Sequence, residues 1–190
     1  MSIQRALPRL ACIAVLALLG ACTQQQQQQQ QQQSATPPAG QPQAPATTPQ
    51  DQQASELERL KQQAGRGDPD AQYQLGSLYF VGKPQKDLKQ AEYWWKQAAD
   101  KGHSQSAFSL AFLYTGRADP AFADQRAMHK YLSQASAAGN AMAQHVLGSM
   151  YAQGAEGLKQ DPNQARALFQ SACDKQYPPS CEALKRLQTN

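Results

Sequence analysis

The feature that most constrains this chain is a short pattern that returns. DPDAQYQLGSLYF, Asp68 to Phe80, comes back as SQSAFSLAFLYT from Ser104 and as AMAQHVLGSMYA from Ala141, and a truncated copy, PPSCEALKRL, starts at Pro178. Registering the copies on Leu75, Leu110, Leu147 and Leu184 gives spacings of 35, 37 and 37 residues. A fixed period in the mid-thirties describes a solenoid, because one helix pair cannot bury its apolar face alone and must stack on neighbours.

Helical periodicity between the copies predicts two helices per unit. First helices are expected near 69–81, 104–115, 141–153 and 178–188, and second helices near 87–101, 124–138 and 161–175. A polar opening segment with Leu57, Leu60 and Ala64 at helical spacing adds a capping helix over 54–66, for eight in all. Asp68 and Pro69 supply an N-cap and a first-turn proline for the first copy. The second helices register on Ala98, Ala135 and Ala172, with bulky pairs Trp94-Trp95, Tyr131-Leu132 and Leu168-Phe169 beside them. Small residues let helices approach and large ones fill the remaining space. The paired tryptophans therefore read as core rather than as a platform for sugars. The expected fold is all-α, a right-handed α–α solenoid.

What precedes the repeats is of another kind. Arg5 and Arg9 lead into LACIAVLALL, Leu10 to Leu19. Ten apolar residues are too few for a hydrocarbon core of about 30 Å, which needs about 20, so residues 1–21 read as a signal peptide. Its end, Leu19-Gly20-Ala21-Cys22, resembles the bacterial lipobox, which implies cleavage before Cys22, lipid on its sulfur and acylation of the new amino group. Thr23 rather than Asp after the cysteine points to the outer membrane, facing the periplasm. Residues 22–53 hold ten consecutive glutamines, Gln24 to Gln33, then Pro, Ala, Thr and Gln without an aromatic residue. Such composition cannot offset its ordering entropy, so this stretch reads as a disordered tether with a reach of roughly 30 Å. Without the two leader arginines, 16 basic residues face 14 acidic ones. That balance gives no electrostatic footprint for nucleic acid.

The sequence holds few signs of catalysis. His103, His129 and His145 show no metal-ligand spacing, and there is no Gly-x-Ser-x-Gly, phosphate-binding glycine loop, zinc-protease motif or Ser-x-x-Lys. No enzyme activity, metal or cofactor is expected.

Ala71-x-x-x-Leu75-Gly76-x-Leu78-Tyr79, then Gly82, Asp87, Ala91, Trp94, Ala98, Ala99 and Gly102, closely resemble the Sel-one-like repeat, a tetratricopeptide-like unit with a longer interhelical loop. The third copy matches through Ala143, Leu147, Gly148, Met150, Tyr151, Gly154, Gly157, Asp161, Ala165 and Ala172. The second departs, with Ala111 at the helix glycine and an atypical loop, Gly116 to Asp124. The resemblance places repeats at about 68–103, 104–140 and 141–177 in a domain spanning 54–190, with capping helices 54–66 and 178–188.

The resemblance also implies a binding groove along the first helices. Its rows are Tyr73, Phe108, His145 and Glu182, then Ser77, Phe112, Ser149 and Arg186, with Phe80 and Thr115 extending them. The same spacing leaves open that Tyr73 and Phe108 pack into the preceding helix pair. Cys173 and Cys181, eight apart, match the spacing of cysteine-rich relatives in which each pair forms a disulfide. The implied function is a membrane-anchored periplasmic scaffold or adaptor that binds an envelope protein or peptide. The alternative is a peptidoglycan- or β-lactam-binding envelope factor with weak enzymatic activity.

Overall fold

The computed structural model describes residues 48–83 and 85–189. The leader, Cys22 and the tether as far as residue 47 lie outside the described residues. Eight α-helices run through the described part: α1 Pro49–Gly65, α2 Pro69–Val81, α3 Leu88–Ala99, α4 Ser104–Tyr114, α5 Gln125–Ala137, α6 Ala141–Gln153, α7 Pro162–Asp174 and α8 Pro178–Thr189. A 3-10 turn, Pro120–Phe122, sits in the loop after α4, and no strand occurs among the described residues. The fold is an α–α solenoid of alternating first helices (α2, α4, α6, α8) and second helices (α1, α3, α5, α7).

One boundary differs from expectation. The opening helix starts at Pro49, not Ala54, so the tether does not extend to Gln53. Thr48 and Asp51 form a capping box: the Thr48 hydroxyl accepts from the Asp51 N–H while the Asp51 carboxylate accepts from the Thr48 N–H. With Pro49 at the first position, these groups start a helix in a stretch whose composition otherwise reads as coil.

The starts of α2 to α7 are set by side-chain caps. Asp68, His103 and Asn140 accept from the N–H three residues on, and the second helices open on Asp87, Asp124 and Asp161. These aspartates have a second task. Their own N–H groups donate to the carbonyls of Tyr79, Tyr114 and Tyr151 at 3.0, 3.0 and 2.9 Å. Loops of different length, the atypical one included, are thus closed by the same bond.

Within each pair, packing follows the register. Trp95, Leu132 and Phe169 are buried at one equivalent position, beside fully buried Ala91, Ala98, Ala135, Ala165 and Ala172. Trp95 lies on Gly76 and its indole N–H donates to the Tyr73 carbonyl at 3.2 Å. A β-carbon at Gly76 would come within 2.6 Å of the indole, and one at Gly148 within 2.9 Å of Phe169. The second copy has the smaller Leu132 there, which explains why Ala111 is tolerated where the other copies need glycine. Trp94 is half-buried and packs into a separate cluster with Leu57, Leu60, Ala64, Ala71 and Leu75.

At two of the junctions between pairs, a buried glutamine forms the bridge. The Gln72 amide donates to the Ala64 carbonyl at 3.0 Å, and Gln144 donates to the Ser136 carbonyl at 3.1 Å. The other end of each amide accepts from a lysine, Lys101 or Lys175, at 3.2 Å. At the last junction Cys181 takes the glutamine position. Cys173 and Cys181 are paired with Cα atoms 4.9 Å apart, compatible with a disulfide.

Candidate functional site

The face expected to bind a partner is built by α2 and α4. Tyr73, Ser77 and Phe80 from α2 and Phe108 and Phe112 from α4 line one cleft of about 280 Å³, floored by Trp95. Val81, Gln105 and Ser109 complete its wall, and no charged side chain enters it. Phe112 and Val81 stand at its mouth, 43% and 62% exposed. Phe80 bridges floor and rim, its ring centroid 5.4 Å from Trp95 and 6.2 Å, edge to face, from Phe112.

The choice left open for Tyr73 and Phe108, cleft or packing, resolves to both. Each is half-buried against the core and still lines the cleft. The Tyr73 ring also tilts against His103 with centroids 5.1 Å apart. The Ser77 hydroxyl donates to the Tyr73 carbonyl within α2, which leaves its oxygen as an acceptor at the cleft wall.

The rest of the expected stripe lies elsewhere. On α6, His145 is packed between Phe169 and Tyr177, each at 5.4 Å, and its Nδ1 is 2.9 Å from the Ser180 hydroxyl. Burial, then repulsion from Arg186, lowers the His145 pKa below 6.5. Ser149 donates to the His145 carbonyl as Ser77 does to that of Tyr73. Glu182 and Arg186 are exposed on α8, and the exposed Thr115 turns its hydroxyl back to the Phe112 carbonyl. Of the nine residues expected to contact a partner, Tyr73, Ser77, Phe80, Phe108 and Phe112 meet in one place. His145, Ser149, Glu182 and Arg186 do not join them.

Two side-chain groupings were not read from sequence. His103 caps α4: its Nδ1 accepts from the Ser106 N–H at 3.1 Å, and its Nε2 lies 3.1 Å from the Asp70 carboxylate. Asp70, His103 and Ser106 thus mimic a nucleophile-base-acid chain. Ser106 is fully buried, so no substrate reaches its hydroxyl and the grouping is a helix cap. The register of His103 with the caps Asp68 and Asn140 is the signal that identifies it. The other grouping ties α3 to α4 and α5. The Tyr114 hydroxyl donates to the Glu92 carboxylate, Lys96 binds the same oxygen at 2.7 Å, and Tyr114 stacks on Tyr131 at 5.7 Å. Burial and the bond to Glu92 push the Tyr114 pKa up to about 12. Burial alone raises the Glu92 carboxyl, but the bonds from Lys96 and Tyr114 outweigh it and hold the pKa below the usual range. No group of three or more His, Cys, Asp or Glu side chains suited to a metal occurs among the described residues.

Comparison with known proteins agrees with this geometry. The Sel1 repeat family matches residues 69–103 and 141–177, the first and third copies. The crystal structure of a Sel1 repeat protein from Oxalobacter formigenes is 26% identical, with a TM-score of 0.62, and the match covers 69% of this chain and 98% of that one. A protective antigen present in uropathogenic Escherichia coli strains, displaying an SLR fold, is 34% identical with a TM-score of 0.56. That match covers 63% of this chain and 25% of the antigen chain, so this chain spans about a quarter of that structure. No curated protein matches the chain. Sel1 repeats commonly mediate protein–protein interaction, and proteins built from them are typically not enzymes. In register, loop closure and helix glycines alike, residues 69–103 and 141–177 of this chain are Sel1 repeats, and its fold is that of solved Sel1 repeat proteins.

Proposed function

We propose that this chain is a non-enzymatic scaffold, lipid-anchored at Cys22 to the periplasmic face of the outer membrane, that holds an envelope protein by an uncharged peptide segment seated in the α2–α4 cleft. The observation that carries the reading is the cleft itself: five expected residues converge on an uncharged aromatic surface with Phe112 and Val81 open to solvent. Aromatic anchors in a partly desolvated pocket supply binding energy, and the flanking Ser77, Ser109 and Gln105 set the register of a bound backbone. The leader ending in Leu19-Gly20-Ala21-Cys22 and the glutamine-rich tether support the anchor.

The test is proximity crosslinking in the native envelope, with the full chain as bait beside Cys22→Ala and Tyr73→Ala/Phe112→Ala forms. One or two envelope proteins captured by the native chain, lost with the cleft variant and reduced without the anchor, are expected. If peptidoglycan alone is captured, the scaffold reading falls and muropeptides and β-lactams become the ligands to titrate.

A further inference from the structure

The cleft between α2 and α4 is uneven in what it leaves unbonded. The acceptor beneath it, the Tyr73 carbonyl, already takes the Ser77 hydroxyl at 2.9 Å and the Trp95 indole N–H at 3.2 Å. The Gln105 side-chain oxygen takes the Asn140 amide at 3.0 Å, and the two hydrogens on the Gln105 amide nitrogen have no partner among the described residues. The hydroxyls of Tyr73 and Ser109 make no bond among the described residues either. Gln105 therefore brings donors only, the two hydroxyls donate or accept, and the Ser77 oxygen accepts. The balance is towards donors, inside an aromatic wall that no charged side chain enters.

Three backbone conformations would meet such a cleft differently. A helix keeps its carbonyls in its own hydrogen bonds, and one turn, about 10 Å across and 5.4 Å long, fills roughly 420 Å³. It would enter a cleft of about 280 Å³ by side chains alone and leave the donors unmatched. An extended strand brings carbonyls but also an N–H at nearly every residue, and both walls are helices with no strand edge to receive them. A polyproline II segment has no internal hydrogen bonds and turns its carbonyls outward. Each proline in it removes an N–H, so it brings acceptors without matching donors, together with apolar rings suited to aromatic walls.

Building on the reading of this cleft as a peptide site, we propose that its occupant is an uncharged, proline-rich segment of the partner, bound as a polyproline II helix. One proline lies on the floor against Trp95 and Phe80, whose ring centroids are 5.4 Å apart. The proline one turn further, about 9 Å along the axis, reaches the exposed mouth at Phe112 and Val81. Carbonyls between the two accept from the Gln105 amide and the Ser109 hydroxyl. The partner's signature is thus Pro-x-x-Pro without charged residues between the prolines. Such a segment holds its bound shape before it binds, so a small cleft need not offset a large ordering entropy.

The test titrates three uncharged probes of equal length, acetylated and amidated, into the full-length chain in mild detergent by calorimetry. The first mixes proline with alanine and glutamine in Pro-x-x-Pro spacing, the second has alanine at every proline, and the third alternates threonine and valine. The chain carries Pro37→Ala, Pro38→Ala, Pro42→Ala and Pro45→Ala, so that its tether holds no proline run of its own. Saturable binding of the proline probe alone is expected, weakened about threefold to tenfold by Gln105→Met or Ser109→Ala and lost with Phe112→Ala. Circular dichroism confirms that each variant is folded. No binding of the proline probe, or binding indifferent to these three changes, would overturn the proposal. If another probe binds instead and Phe112→Ala abolishes it, the peptide site stands and only its occupant is wrong. If no probe binds and envelope capture ignores Tyr73→Ala/Phe112→Ala, the peptide-site reading falls as well.

Discussion

Trp95 and Gly76 are in such close contact that a β-carbon at residue 76 would come within 2.6 Å of the indole. The second copy carries the compatible alternative, Ala111 with Leu132, both buried in the same core. Gly76→Ala should therefore cost about 1–3 kcal/mol by overpacking, despite the better helix propensity of alanine. Adding Trp95→Leu should recover part of that loss. Urea melts of the two single variants and the double variant form a cycle, and a coupling near zero would show that the contact does not set the residue.

The pairing of Cys173 with Cys181 takes the place of a glutamine bridge. In the chain-entropy description, a nine-residue loop contributes about 2.5 kcal/mol. Reduction, or Cys173→Ser with Cys181→Ser, should lower stability by about that amount. Amide exchange should localise the loss to α8, which packs chiefly on α7. Exchange that accelerates uniformly from α2 to α8 would contradict this localisation.

Gln176 has φ +61, at the turn where the other junctions have Gly67, Gly102 and Gly139 with φ of +95, +84 and +86. A left-handed conformation strains any residue with a β-carbon. Gln176→Gly should therefore raise stability by about 0.5–1 kcal/mol even though it frees the unfolded chain. The same change at an exposed helical position such as Gln97 should lower it. Thermal melts of both variants test the contrast.

His145 links stability to pH. Its folded pKa lies below the ordinary 6.5, through burial and then the nearby Arg186. As pH falls through 6.5 the unfolded chain takes up the proton while the folded chain resists, so stability falls until the folded pKa is reached. Above 6.5 both states are neutral and the contribution is constant. His145→Gln should flatten the acid side of a stability profile measured between pH 7.5 and 5. An unchanged slope would locate the acid sensitivity elsewhere.

Much of the fold was legible because the repeat fixes phase: one leucine register located the helices, and the alanine register marked the pairs Trp94-Trp95, Tyr131-Leu132 and Leu168-Phe169 as core, of which the structure buries Trp95, Leu132 and Phe169 at one equivalent position. What periodicity could not show is which neighbour meets a given side chain. Tyr73 and His145 share a register, yet Tyr73 lines an open cleft while Tyr177 and Ser180 pack against His145. Phe108 and Phe112 help form the cleft because α4 places them opposite Phe80, a relation between helices that spacing within one helix does not encode. Pro49 was missed because a capping box depends on two side chains and a proline, not on composition.

The bond from each aspartate N–H to a tyrosine carbonyl works as a clasp. Since Asp124 already grips Tyr114, the chain between Gly116 and Ala123 lies outside a closed ring, anchored to the core only by Ala118 and Phe122, and its length is uncoupled from the pitch of the stack. Its exposed Ala121 is the place to insert a reporter peptide or an affinity handle while Ala118 and Phe122 keep their contacts with the core. The strand of repeats would then carry a visible label at its midpoint while both ends and the cleft stay native.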